Sequence, residues 1–188
     1  MLDDRQEGAR HSDALARFDK LVDDALERVR GNPVADTVFT TASWLGEFSL
    51  VWHVANVARG LAGGARARQV PVLAVLLGAE SLLVNQGLKR LFHRRRPTVA
   101  GDPRYPIRRP VTSSFPSGHA SAAAFNAVLL TGWDGRRSAP LWWGLALVVA
   151  TSRAYVRIHH PSDVVAGLAT GAALGVAARQ IVRRLEIG

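Results

Sequence analysis

SRAYVRIHHPSD, residues 152–163, closes a run of Leu, Val, Ala and Trp that begins at Pro140. Arginines, adjacent histidines and an aspartate at the end of an apolar helix are unfavourable there unless they meet a ligand or one another. Apolar segments also lie at about 34–58, 69–92, 116–133 and 164–182, beside the 140–156 run itself. Each approaches the ~20 residues that a hydrocarbon layer of ~30 Å requires. The breaks between them, GLAGGARAR, the basic stretch after Lys89, GWDGRRSAP and HHPSD, are turn-rich or charged.

This pattern predicts an all-α fold, a transmembrane helical bundle of about five spans over residues 34–188, preceded by a charged segment and an amphipathic interfacial helix in residues 1–33. Within Ser12–Arg30, Leu15, Phe18, Leu21, Val22, Ala25, Leu26 and Val29 recur at helical spacing with Asp and Arg opposite, and Gly31-Asn32-Pro33 supplies the stop. That helix is too charged to cross a bilayer; it lies on one or covers a core. The opening MLDDRQEGAR lacks the apolar region of a secretory signal. Mean hydropathy is only +0.06, and Glu47, His53 and Glu80 fall inside the apolar segments, so a soluble helical bundle is the competing reading. The Ala and Gly content of the segments instead suits close helix packing in lipid. Trp44, Trp52, Trp133, Trp142 and Trp143 fall near expected span ends, where interfacial anchors belong.

The 188 residues carry 24 Lys and Arg against 15 Asp and Glu, a net charge of +9. Such a balance suits nucleic acid, anionic lipid or a phosphate-bearing substrate. Its distribution discriminates. The acids crowd into residues 1–36, whereas Lys89, Arg90, Arg94, Arg95, Arg96, Arg104, Arg108 and Arg109 share one stretch with Asp102. Basic residues that flank apolar helices, rather than cover a soluble face beside stacking aromatics, argue against a nucleic-acid partner. The chain has no cysteine, which excludes disulfides, a thiolate nucleophile and Cys-based metal sites.

Alternating helix direction brings the unusual polar groups to one end of such a bundle. Lys89 ends the second segment, Arg96-Pro97 follows it, Pro116-Ser117-Gly118-His119 opens the third, Arg153 and His159 end the fourth, and Asp163 opens the fifth. These groups suit phosphoryl transfer, in which charge spread over equatorial oxygens is held by fixed donors. Lys89, Arg96 and Arg153 supply positive charge, and a Pro-led helix start offers amides to an anion, with Gly118 permitting close approach. Two histidines can divide the roles of nucleophile and general acid, and a carboxylate such as Asp163 can hold one ring in the required tautomer.

KRLFHRRRP (89–97), PSGH (116–119) and SRAYVRIHHPSD (152–163) together closely resemble the pattern KxxxxxxRP, PSGH, SRxxxxxHxxxD of the type 2 phosphatidic acid phosphatase (PAP2) superfamily, which also includes vanadium haloperoxidases and glucose-6-phosphatase. The resemblance spans roughly residues 85–170. It implies that His159, which fits both spacings where His160 fits neither, is the nucleophile that forms phosphohistidine. Asp163 would then orient it and His119 protonate the leaving group. Lys89, Arg96, Ser117, Gly118 and Arg153 would bind the phosphate, with no metal ion or other cofactor. It further implies a membrane enzyme surrounded by lipid and acting on a lipid phosphate or diphosphate, a bacterial polyprenyl carrier being preferred to a glycerophospholipid. A vanadium haloperoxidase with vanadate on His159 and a silent lipid-phosphate binder are the alternatives.

Of the remaining polar residues, Arg90, Arg94, Arg95, Arg104, Arg108, Arg109 and Arg157 are expected to be loop charges that attract an anionic substrate, and His11, His93 and His160 bystanders. Ser114 or a neighbour is expected to cap the third segment. Glu80 and Asn85 either satisfy buried polar groups or support the site. Arg59, Arg66, Arg68, Arg136, Arg137, Arg179, Arg183 and Arg184 lie toward the other end; short basic loops stay cytoplasmic, which would turn the site outward from a bacterial plasma membrane.

Overall fold

The computed structural model of the chain describes residues 3–98, 102–107 and 112–185. Among these residues the fold is all-α, in seven helices: α1 (Asp3–Glu27), α2 (Pro33–Leu45), α3 (Leu50–Gly60), α4 (Gly64–Leu91), α5 (Gly118–Asp134), α6 (Ala139–Tyr155) and α7 (Pro161–Arg184). The stop read at Gly31-Asn32-Pro33 separates α1 from α2. Gly31 takes φ +87°, which glycine adopts without a Cβ penalty. Asn32 caps α2 by accepting from the amides of Val34 and Ala35 at 3.0 and 3.2 Å, with Pro33 in the first turn.

The first expected span, 34–58, is not one helix. It breaks at Gly46–Ser49, where Phe48 and Ser49 adopt φ of 49° and 58°. The reason is tertiary: a Cβ on Gly46 would stand 2.5 Å from the His119 ring, so bare backbone meets α5 there. Interrupted helices are tolerated at membrane depth where the freed backbone lines a cavity, and Gly46, Phe48 and Ser49 do line one. α4 runs unbroken through Pro71 but widens to π geometry over Leu83–Leu88, just before Lys89, a distortion common beside functional sites.

α5 is the central helix, buried almost continuously from Ala120 to Leu130. α7 meets it along Gly167, Gly171 and Gly175, a spacing that lets two backbones approach closely. A Cβ at Gly171 would fall 1.9 Å from the Ser121 carbonyl oxygen, and one at Gly167 2.4 Å from that of Ser117. Gly171→Val is therefore expected to destabilise the bundle by about 3 kcal/mol or more, the upper end of overpacking costs. A lowered thermal transition in detergent would show it, while Gly78→Ala, at a position with open space, leaves the transition unchanged.

The core packs Trp52, Leu73, Leu77, Phe125, Leu129, Leu130, Trp142 and Val149 together, with Trp133 and Trp143 against it. Of the five tryptophans expected to be interfacial anchors, Trp52 and Trp142 are thus buried in the core, and Trp133 and Trp143 are partly buried at its edge. Trp142 is held by its indole N–H donating to Asp134 at 3.2 Å, and only Trp44 is broadly exposed, at 60%. Outside the core the helices stay apolar: Val75, Leu82, Leu141, Leu147, Val176 and Ile181 are exposed, a surface suited to lipid. α4 and α7, of 28 and 24 residues, are long and apolar enough to cross a membrane. α5 and α6, of 17 residues each, sit at the short edge of the ~17–25 residues that span one.

Of the two placements expected for α1, it does not cover the core with its apolar stripe. Asp19, Val22, Asp23 and Leu26 face the bundle, while Leu15, Phe18, Leu21 and Val29 are exposed. The charged edge takes the inner position because partners await it: Asp19 pairs with Arg94 at 2.6 Å, Asp23 with Arg157 at 2.9 Å and Glu27 with Arg104 at 3.0 Å. Burial alone would raise the Asp23 carboxyl, but hydrogen bonds from Arg157 and Arg30 hold it below the usual carboxylate range. Arg30 in turn donates to the Tyr155 and Ala154 carbonyls at 2.9 and 3.0 Å, a cation at the C-terminus of α6.

Candidate active site

The end of α4, the loop after it, the start of α5, the last turn of α6 and the first turn of α7 converge on His159. Arg96 Nη1 stands 3.2 Å from His159 Nε2. A guanidinium only donates, so Nε2 is the acceptor and the ring proton belongs on Nδ1. Nδ1 faces Ser114 Oγ at 3.4 Å and Asp163 Oδ2 at 3.7 Å, and the Ser114 hydroxyl donates to that Oδ2 at 2.5 Å. Ser114 therefore lies between histidine and carboxylate and does not cap α5. Ser117 is the cap, accepting from the Ala120 amide at 3.5 Å. The amide of Ser117 is engaged by the Asp163 carbonyl at 3.0 Å, so the helix-start amides left for an anion are those of Gly118 and His119. Burial pushes His159 below the ordinary imidazole value; Asp163 opposes that shift, while the cations Arg96, Arg153 and Lys89 add to it. The ring is thus neutral at physiological pH.

Asp163 is fully buried and its two oxygens are divided. Oδ2 also accepts from the His160 amide at 2.9 Å, and Oδ1 from Arg94 Nη1 at 2.7 Å. Across the cavity, Arg153 is fully buried, with Nη1 on Ser43 Oγ at 2.5 Å and 3.6 Å from Glu47 Oε1. Its Nε and Nη2 have no hydrogen-bond partner among the described residues. Buried donors left unpaired are costly, and beside Lys89 and Arg96 they call for an anion. His119 Nε2, likewise without a hydrogen-bond partner among the described residues, faces the same Glu47 oxygen at 3.6 Å. A Cβ at Gly118 would stand 2.7 Å from Asn85 Oδ1 and displace that side chain. Lys89, Gly118, His119 and His159 share a cavity of ≈ 440 Å³ whose other wall includes Phe48, Ala74 and Leu77. The arrangement can hold a tetrahedral oxyanion against an unprotonated imidazole nitrogen.

A sequence model of the PAP2 superfamily matches residues 70–187. The chain belongs to the PAP2 superfamily. It is 33% identical over 159 residues to the decaprenylphosphoryl-5-phosphoribose phosphatase of Mycolicibacterium smegmatis, covering 83% of this chain and 84% of that one. It is 31% identical over 115 residues to the putative undecaprenyl-diphosphatase YbjG of Escherichia coli, covering 61% of this chain and 58% of YbjG. The fold superposes on the transmembrane PAP2 type phosphatidylglycerolphosphate phosphatase of Bacillus subtilis with a TM-score of 0.71 at 24% identity, over 95% of this chain and 90% of that one. With its exposed apolar helices, this PAP2 chain is an integral membrane protein.

The PAP2 motifs account for Lys89, Arg96, Ser117, Gly118, His119, Arg153, His159 and Asp163, and the structure brings them all to one end of the bundle. Four neighbours outside the motifs join them: Ser43, Glu47, Arg94, expected to be a loop charge, and Ser114, expected to cap α5. Glu47 in an apolar run was the available signal for one of them; a serine or an arginine in a basic loop gives none. Arg94, Arg104 and Arg157 are not loose loop charges, because α1 and Asp102 pair with them. Arg108 and Arg109 lie outside the described residues. Glu80 accepts from the Ser121 hydroxyl, tying α4 to α5.

Proposed function

We propose that this PAP2 protein removes phosphate from a lipid phosphate or diphosphate, a polyprenyl carrier by preference, through a phosphohistidine intermediate and without a metal ion. One observation carries the reading: Arg96 Nη1 stands 3.2 Å from the unprotonated Nε2 of His159, so an anion on Arg96 is delivered to that nitrogen. Lys89, Arg96 and Arg153, with Ser117 and Gly118, hold the equatorial oxygens. Nε2 attacks phosphorus, the bond from phosphorus to the leaving oxygen breaks, and His119 gives that oxygen a proton. Water then attacks the phosphohistidine, His119 takes a proton from it, and orthophosphate departs. Asp163 keeps the imidazole oriented and stabilises the charge it acquires.

The polyprenyl preference is supported by the two phosphatases of decaprenylphosphoryl-5-phosphoribose that align over most of their length, from M. smegmatis and Mycobacterium tuberculosis. The apolar cavity wall of Phe48, Ala74 and Leu77 suits the first carbons of a chain that stays in the bilayer. In this reading residues 34–188 form the phosphatase domain, with five crossings if α2 and α3 count as one broken span. Residues 1–33 form an interfacial segment with Leu15, Phe18 and Leu21 toward the acyl chains. The basic turns at the opposite end, with Arg66, Arg68, Arg136 and Arg137, face the cytoplasm and the site faces outward.

The test is orthophosphate release by detergent-purified protein, in excess EDTA, from undecaprenyl diphosphate, a decaprenyl phosphoribose phosphate, phosphatidylglycerol phosphate and phosphatidic acid. The highest kcat/KM is expected on a polyprenyl substrate. A glycerophospholipid preference would overturn the substrate class. Release from no lipid, with halide oxidation once vanadate is added, would replace the phosphatase with a haloperoxidase.

A further inference from the structure

The mechanism above uses Asp163 but not what holds Asp163. Arg94 Nη1 donates to Asp163 Oδ1 and to Ser162 Oγ, each at 2.7 Å, and Arg94 Nη2 donates to Asp19 Oδ2 of α1 at 2.6 Å. The other oxygen of Asp19, Oδ1, accepts from the Ser162 amide at 2.8 Å, and the Ser162 hydroxyl donates to Oδ2 at 2.9 Å. Ser162 follows Pro161 in the first turn of α7, where backbone N–H groups lack partners within the helix. Asp19 thus supplies from a distant helix the acceptor that an N-cap ordinarily supplies, and its charge suits that helix end. It is 8% exposed although its helix is otherwise mostly exposed.

We infer that Asp19 and Arg94 are positioning residues for the nucleophile: α1 holds the start of α7 and, through Arg94, fixes the Asp163 carboxylate that orients His159. The inference rests on the phosphohistidine reading. The physical need is plain. Asp163 Oδ2 must serve Ser114, the His160 amide and the His159 ring together, and a carboxylate pivots about its Cβ–Cγ bond unless Oδ1 is tied. Arg94 ties it, and Asp19 keeps Arg94 from swinging into the cavity of ≈ 870 Å³ that both line beside His159. Neither residue lines the smaller cavity shared by Lys89, Gly118 and His119, so their loss should misplace the nucleophile and leave phosphate binding alone.

The experiment compares full-length Asp19→Asn, Asp19→Glu, Arg94→Gln and Asp19→Asn/Arg94→Gln with wild type and His159→Asn in detergent. Two readouts are taken: kcat and KM on the preferred lipid, and the rate at which diethyl pyrocarbonate modifies His159 relative to His93, by mass spectrometry. Asp19→Asn is expected to lower kcat about tenfold and Arg94→Gln about a hundredfold with KM unchanged, the signature of a lost transition-state interaction. Asp19→Glu should recover part of the loss, and the double variant should be no worse than Arg94→Gln alone, because the residues act in series. His159 modification should slow in step. Unchanged kcat, raised KM with kcat intact, additive losses, or unslowed His159 modification would each overturn the inference. If wild type hydrolyses no lipid yet the variants still slow His159 modification, the positioning relay stands and the phosphatase reading falls.

Discussion

His159→Asn is expected to reduce lipid phosphate turnover by about 10⁴-fold or more, the scale at which loss of a covalent nucleophile leaves only binding and electrostatics. His160→Asn should keep turnover near wild type. The neighbouring rings differ in surroundings: His159 is 2% exposed, with Nε2 on Arg96 and Nδ1 toward Ser114 and Asp163. His160 instead directs Nε2 to the Arg95 carbonyl at 3.3 Å and Nδ1 toward Asp19 at 3.8 Å. It reaches Asp163 through its backbone amide, which the substitution preserves. Orthophosphate release with saturating lipid, and labelled phosphoenzyme trapped under alkaline quench, separate the two. Equal losses in both variants would remove His159 from its special position, and phosphoenzyme in His159→Asn would place the nucleophile elsewhere.

Asp163→Asn is expected to lower kcat by about 10³–10⁴-fold with KM little changed, as when the carboxylate behind a catalytic imidazole loses its charge. The amide is poor in this site for a specific reason. Asp163 accepts from Ser114, the His160 amide and Arg94, so whichever way an asparagine turns, its NH₂ meets a donor. Ser114→Ala should cost much less, since Oδ2 remains and lies 3.7 Å from His159 Nδ1. Measuring kcat and KM for both variants, with thermal transitions as a check on folding, tests the assignment. Comparable losses for Ser114→Ala would make the serine the orienting group and Asp163 its support.

The residues of the candidate site were legible because the proposed chemistry constrains their spacing. KRLFHRRRP, PSGH and SRAYVRIHHPSD place cations, a helix start, two imidazoles and a carboxylate at segment ends, and antiparallel helices then bring those ends together. The neighbours of those residues were not legible. Glu47 reaches His119 and Arg153 only because the chain breaks at Phe48 and Ser49, and that break exists because Gly46 packs on His119. Trp52 and Trp142 sit in the core, though their place near expected span ends marked them as candidates for the membrane surface.

Except for the break at Gly46–Ser49, the sequence alone settles that this chain is helical, how its apolar segments are divided, which of two adjacent histidines carries the motif, and where positive charge gathers. These follow from hydrophobic period and fixed spacing, which are local properties. Only the tertiary structure decided which face of α1 turns inward, since Leu15 and Phe18 compete with Asp19 and Asp23 for that place. The acids win because Arg94 and Arg157, more than seventy and more than a hundred residues away in sequence, stand opposite them. A helix records its own amphipathicity, but the partner that selects a face lies elsewhere in the chain.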